Sequence, residues 1–289
     1  MNKDFNAVAV AKRASLPAIN HFGIKELAGM PPYFGWVDCP SFAGDFQMFL
    51  GGNDDGVALR FFWNGCYEPT TLKLWTKFAM RSELALDIGA HTGAFTLSAK
   101  AAKAGLTVAS FEPHSMNFAR MNLNLRFNRF ETSNSFMCAV DAKDETLPFS
   151  ISTSLDYLTT GGSIGTRGKG YKTQVQVIAV DSFIPDAVKP RVGLVKIDTE
   201  GYEAACIMGM TKLLELARPV FFFECIESSS GAAVQKALSA FGYEFYEVDD
   251  NQGTVKPVAE IRPHLDARDQ PIYGVFNRIA TPDSVEWPE

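Results

Sequence analysis

The sequence predicts an α/β protein: a mainly parallel seven-stranded sheet with helices on both faces, preceded by an N-terminal cap. Three observations carry this expectation. An apolar strand at 84–88 (Leu84, Leu86, Ile88) runs into a turn holding Gly89 and Gly93, and a small-residue helix follows at 94–104. A second apolar strand, 106–112, ends on an acid, Glu112, nineteen residues past Gly93. Beyond it, apolar runs and helix-period patterns alternate, the order that builds a parallel sheet covered on both faces.

The elements follow in order. Residues 1–30 read as a helix or an unordered arm, and Pro31-Pro32 then interrupts regular structure. The stretch 33–62 is aromatic, with Gly51-Gly52 and Asn53-Asp54-Asp55-Gly56 as turns, so 47–50 and 57–62 are expected to pair as a hairpin. After Pro69, Leu72, Leu74, Trp75, Phe78 and Ala79 predict a helix over 70–80. This divides the chain into a cap, 1–80, and the main domain, 81–289. Past 112 come a helix at 115–128, a strand at 134–140 ending at Asp141, and two extra strands at 146–152 and 173–179. A strand at 193–198, a helix at 200–216, a strand at 219–225 and a helix at 230–241 follow. The chain closes with strands at 243–248 and 271–276, expected to be antiparallel. Between the extra strands, 159–170 holds five glycines in twelve residues. That composition suits a surface hairpin tip or a flap in which Arg167 and Lys169 grip substrate.

The paired turn and acid describe a nucleoside site at the carboxyl ends of parallel strands. Glycine lets backbone approach the ligand, and the helix start offers free N–H groups. The spacing Asp87-Ile88-Gly89-Ala90-His91-Thr92-Gly93 lacks the G-x-G pair of a dinucleotide site. Asp87 at that mouth repels pyrophosphate and suits an ammonium group, while Glu112 can accept ribose hydroxyls. S-adenosyl-L-methionine, with amine, sulfonium and ribose and no phosphate, meets these terms. Asp87, Gly89, Ala90, His91, Thr92, Gly93, Glu112 and Pro113 are the cofactor-binding candidates. Val140 and Asp141 are expected to border the adenine, and Asn117 is a further candidate on the helix after Glu112.

The run from Asp87 to Gly93, then Phe111-Glu112-Pro113, then Val195-Lys196-Ile197-Asp198-Thr199-Glu200-Gly201-Tyr202-Glu203, then Arg218 to Glu224, resembles the FkbM family of methyltransferases over about residues 60–280. The resemblance implies a Rossmann-like class I methyltransferase fold and O-methylation of a hydroxyl on a sugar or secondary metabolite. It also implies that Glu68, of the Tyr67-Glu68 pair, meets the cofactor's amine. The chain departs from the family pattern at His91-Thr92, where the family often has Asn followed by a small or apolar residue.

A hydroxyl acceptor needs a proton acceptor beside it. Asp198 closes one apolar strand and Glu224 closes the next, after Phe221-Phe222-Phe223. Asp198 is the first choice as base or anchor, with burial expected to raise its pKa; Glu224 and Glu200 are the other catalytic candidates. Glu200 and Glu203 equally suit the first turn of a helix, where its dipole favours acids. Magnesium between Asp198 and Glu224 is a less favoured reading, since no third oxygen ligand is evident. His91 and His114 are weaker base candidates.

Composition narrows the rest. A formal charge of −6 and no basic run argue against nucleic acid as a partner. No apolar stretch approaches 18 residues, so no membrane span is expected. Five scattered cysteines without a C-x-x-C read as reduced thiols of a cytoplasmic protein. The expected partner is a small-molecule or carbohydrate hydroxyl acceptor. A nicotinamide-dependent oxidoreductase and a non-catalytic nucleoside-binding module are the competing readings.

Overall fold

The computed structural model describes residues 4–152, 163–164, 170–282 and 287. The chain opens with α1 (Ala7–Ala14), α2 (Ile24–Ala28), β1 (Tyr33–Cys39), β2 (Phe46–Gly52), α3 (Gly56–Asn64) and α4 (Pro69–Arg81). The next stretch holds β3 (Leu84–Ile88), α5 (Ala94–Ala102), β4 (Thr107–Phe111), α6 (Ser115–Phe127) and β5 (Ser135–Phe136). Then come β6 (Ala139–Val140), β7 (Glu145–Ser152), β8 (Ser163–Ile164), β9 (Gly170–Ile178) and α7 (Val180–Phe183). The last part holds β10 (Val192–Ile197), α8 (Glu203–Met208), α9 (Thr211–Ala217), β11 (Val220–Glu224) and α10 (Ser228–Ser239). It ends with β12 (Tyr243–Asp249), β13 (Thr254–Pro257) and β14 (Asn277–Pro282).

The main sheet runs β13-β12-β14-β11-β10-β3-β4-β5. The five strands from β11 to β5 are parallel, and β14, β12 and β13 pair antiparallel beyond them. This is the expected seven-stranded arrangement with β13 added at one edge. A four-stranded sheet, β6-β9-β7-β8, stands separately. Side chains alternate across the pleat. Phe222 therefore packs on one face with Trp75 and Phe78 of α4, while Phe221 and Phe223 pack on the other with Leu213, Leu214 and Val234.

Several elements differ from expectation. Residues 57–62 form α3, not a strand, and β2 pairs with β1 instead. The cause is local: the Asp55 carboxylate accepts from the Val57 and Ala58 N–H groups, and Gly65 closes the helix in a left-handed conformation. The strand expected at 134–140 splits, β5 joining the main sheet and β6 the smaller one. The helix expected from 200 starts at Glu203, because Glu200 and Gly201 are left-handed (φ 54° and 101°). It breaks at Gly209, where a side chain would come within 2.1 Å of the Asp141 carbonyl. The final strand lies at Asn277–Pro282 and not at 271–276. The flap reading of 159–170, with Arg167 and Lys169, falls outside the described residues except at 163–164 and 170.

Candidate active site

Three neighbouring strands, β4, β3 and β10, carry the site on the loops at their carboxyl ends. The Gly89 and Ala90 N–H groups both donate to the Phe111 carbonyl, at 2.9 and 3.0 Å, which ties the β3 loop to β4. On the other side, a Cβ at residue 89 would stand 1.8 Å from the Asp198 carbonyl oxygen, and φ there is +78°. Only glycine permits both. His91, itself left-handed at φ 50°, donates its backbone N–H to Glu112 Oε2 at 2.8 Å, and the His114 N–H donates to Oε1 at 2.8 Å. Glu112 is thus held by two backbone bonds and by the Asn117 side chain, which leaves its carboxylate acceptor capacity for one further donor. Burial pushes its carboxyl pKa up, against the pull of His91 and those two bonds.

Asp87 is fully buried, in register with Ser110 of β4 and Lys196 of β10. Its Oδ2 accepts from Thr96 Oγ1 at 2.6 Å, while Oδ1 has no partner. Burial raises its pKa, and the Lys196 ammonium opposes the rise. An orphaned buried carboxylate oxygen costs free energy until something donates to it.

Two adjoining cavities open over these loops. The larger, about 820 Å³ with its mouth, is lined by Gly89, His91, Glu112, Pro113, Asn117 and Val140, and on a further side by Asp198 and Glu200. The smaller, about 260 Å³, is lined by Asp87, Ala90 and Thr92 and shares Gly89, His91 and Asp198 with its neighbour. The structure therefore brings together eleven of the fifteen sequence-selected residues.

A family model described as the methyltransferase FkbM domain matches residues 87–251. The chain belongs to the FkbM methyltransferase family. None of the curated proteins matches. Solved structures that it resembles include the methyltransferase FkbM of Methylobacillus flagellatus KT, at 15% identity over 77% of this chain and 52% of that one, with a TM-score of 0.42. The chain thus spans about half the length of that protein. A SAM-dependent methyltransferase from Agrobacterium tumefaciens is 12% identical over 86% of this chain and 70% of that one, with a TM-score of 0.44. A SAM-dependent O-methyltransferase from Thermotoga maritima is 13% identical over 73% and 65%, at 0.35.

Four of the residues selected from sequence line neither cavity of this FkbM chain. Gly93 caps α5 with φ 95°. Asp141 turns its Oδ1 onto the Ala142 N–H at 2.6 Å. Glu68 sits beside Tyr67, which lines both cavities, and its Oε2 accepts from Asn277 Nδ2 at 3.0 Å. Its carboxyl is pushed up to about 7 by burial and by Asp250 and Asp198, against Lys196. Glu224, at the end of β11, is pushed well up by burial and by Asp198, Glu200 and Glu68, and its Oε2 has no partner. Among the described residues, no three His, Cys, Asp or Glu side chains converge as a metal-holding group.

Two FkbM-motif residues matter in ways the sequence reading did not assign. Lys196 is 3% exposed, places Nζ 2.7 Å from Asp198 Oδ2, and lies 4.5 Å from the centre of the Phe95 ring. Burial works against its charge, but Asp198, Asp87 and Glu68 outweigh it and raise its pKa. The signal was available: a lysine inside an apolar strand needs a carboxylate partner, and Asp198 stands two residues on, on the same side of the pleat. Glu203 is buried at the start of α8. It accepts from the Thr199 N–H at 3.2 Å, the Gly201 N–H at 3.0 Å and Ser230 Oγ at 2.6 Å. These bonds hold the left-handed loop that carries Asp198 and Glu200.

Proposed function

We propose that this protein is an S-adenosyl-L-methionine-dependent methyltransferase that methylates a hydroxyl on a sugar or secondary metabolite. The observation that carries the reading is the pairing of two acids on adjoining cavities, Asp87 on the smaller and Glu112 on the larger. Asp87 has a buried oxygen without a donor, and Glu112 is fixed by two backbone bonds and the Asn117 side chain, with acceptor capacity left for a ligand. Those residues fit an amine at one end of the ligand and a ribose diol in the middle. When bound, the cofactor supplies an activated methyl group with a neutral leaving group; the protein supplies position and proton handling.

The chain's own residues divide that work. Asp87 and Glu112 bind and orient, and the Gly89 loop brings backbone close to the ligand. Asp198 lines both cavities and takes or orients the acceptor's hydroxyl proton. Lys196 fixes the Asp198 carboxylate through the 2.7 Å ion pair and offsets the charge gathered at the strand ends. Burial and its neighbours favour a neutral Glu224 at the end of β11, outside the lining of both cavities, so it gets no contact with the acceptor here. Glu200 sits on the same wall as a second contact. In this reading the acceptor is a small molecule or carbohydrate met in the cytoplasm, with nucleic acid and membrane disfavoured by the charge of −6. No helix among the described residues is long and apolar enough to cross a membrane.

The test combines binding and turnover. The protein is incubated with methyl-labelled cofactor and a panel of glycans and hydroxylated metabolites, and transfer is read by label incorporation. Asp198→Asn is expected to lower transfer by roughly 10²–10⁴-fold while sparing cofactor binding. Glu112→Ala is expected to weaken binding roughly ten- to a hundredfold. An Asp198→Asn protein turning over at the parent rate overturns its role, and a Glu112→Ala protein binding at parent affinity overturns the placement of the cofactor.

A further inference from the structure

His114 follows Glu112 and Pro113 at the end of β4 and caps the start of α6. Its ring is 3% exposed and forms part of the wall of the larger cavity, at a steep angle to Phe149, with ring centres 6.4 Å apart. Nδ1 accepts from the Asn117 N–H at 3.4 Å. Burial, with His91 nearby, lowers the pKa of the imidazole and favours its neutral form. A neutral ring with Nδ1 accepting carries its proton on Nε2. That Nε2 is buried and has no partner. A buried donor left unpaired costs free energy comparable to a lost hydrogen bond, which marks it as waiting for an acceptor.

The sheet order says which part of a ligand lies here. β3 brings Asp87, β4 beside it brings Glu112 and His114, and β5 lies beyond β4; β10, with Asp198, is on the far side of β3. An amine at Asp87 and a ribose at Glu112 direct the base toward the β5 side. The wall there is apolar, made of Cys138, Ala139, Val140 and Phe149, and His114 is a polar group beside it, with Asn117 on the same helix start. A flat heteroaromatic base fits such a wall, and adenine offers ring nitrogens as acceptors.

We propose that the Nε2–H of His114 donates a hydrogen bond to a ring nitrogen of the cofactor's adenine, making His114 a base-reading residue. This rests on the cofactor assignment above and adds to it the group that selects the base.

Calorimetry of S-adenosylhomocysteine and its 1-deaza, 3-deaza and 7-deaza analogues tests it, with the parent and with His114→Asn. Asparagine retains an oxygen that can cap α6 but has no Nε2–H. His114→Asn is expected to bind S-adenosylhomocysteine about tenfold more weakly. One deaza analogue is expected to lose about the same factor with the parent and nothing further with the variant, as for two halves of one contact. The deaza series on the parent needs no variant to fold. Parent-like affinity in His114→Asn, or deaza losses equal in both proteins, overturns the proposal. A parent that does not bind S-adenosylhomocysteine at all overturns the cofactor assignment itself, and the role of His114 falls with it.

Discussion

Glu68 shows how one carboxyl couples the site to stability. It is half-buried in a left-handed conformation before α4, and its pKa is pushed up from 4.5 to about 7, chiefly by burial. A carboxyl whose folded pKa lies above its unfolded value adds stability that is complete below about pH 4.5 and is lost as pH rises through about 7. Glu68→Gln removes that titration while leaving an amide oxygen for Asn277. The variant is expected to gain on the parent between pH 5 and pH 8, by on the order of 1–2 kcal/mol at the upper end. Urea unfolding at the two pH values measures the difference, and a gap that does not change with pH refutes it. The residue scale also shows what a sequence discloses. The places of Gly89 and Glu112 were legible because they depend on spacing within one strand–turn–helix unit. The full role of Glu203 was not, since it bonds Ser230 on another helix, 27 residues away. The Lys196–Asp198 contact follows from the strand period, which sets the two side chains on one side of the pleat.

At the scale of elements, the hairpin of β1 and β2 is fastened to α6 by two asparagines. Asn124 Oδ1 accepts from the Phe49 N–H at 2.9 Å, and its Nδ2 donates to the Thr92 carbonyl at 2.9 Å. Asn128 makes the matching pair with the N–H and carbonyl of Gln47, at 2.8 and 2.7 Å. Side-chain amides thus complete the open edge of β2, a solution to the exposed-edge problem that no periodicity announces. Asn124 also supports the loop after β3 directly, because Thr92 lines the smaller cavity. Asn124→Ala leaves a part-buried N–H and a buried carbonyl unpaired. It is expected to cost about 2–4 kcal/mol of stability and to weaken cofactor binding severalfold, read by urea unfolding and calorimetry. A stable variant with unchanged affinity removes Asn124 from the support of the site. The same region contains the clearest misreading of the sequence. Val57 to Phe62 is apolar enough for a strand or a helix, and Asp55 decides the matter through a cap that acts on backbone, not on pattern.

For the molecule as a whole, the question is whether the N-terminal segment is an appendage. Its packing says otherwise. Trp63, Leu72, Trp75 and Phe78 belong to the same core cluster as Phe95, Leu97, Phe222 and Val248 of the main sheet and its helix. Trp75 also donates its indole N–H to the Phe95 carbonyl at 2.9 Å. Each large apolar side chain buried in this way contributes about 1.5–3 kcal/mol, so α4 alone, through Leu72, Trp75 and Phe78, supplies an amount comparable to the whole stability of an ordinary domain, about 5–15 kcal/mol. The segment also furnishes Val57 and Tyr67, which line both cavities. A chain beginning at Ser82 would expose Phe222 and lose one wall of the site. It is expected to show no cooperative thermal transition by circular dichroism and no calorimetric binding of S-adenosylhomocysteine, whereas the full chain shows both. Deleting only residues 1–5, ahead of α1, is expected to leave both intact. If the chain from Ser82 melts cooperatively and binds with parent affinity, the N-terminal segment is a separable cap, and Val57 and Tyr67 are not part of the site it closes.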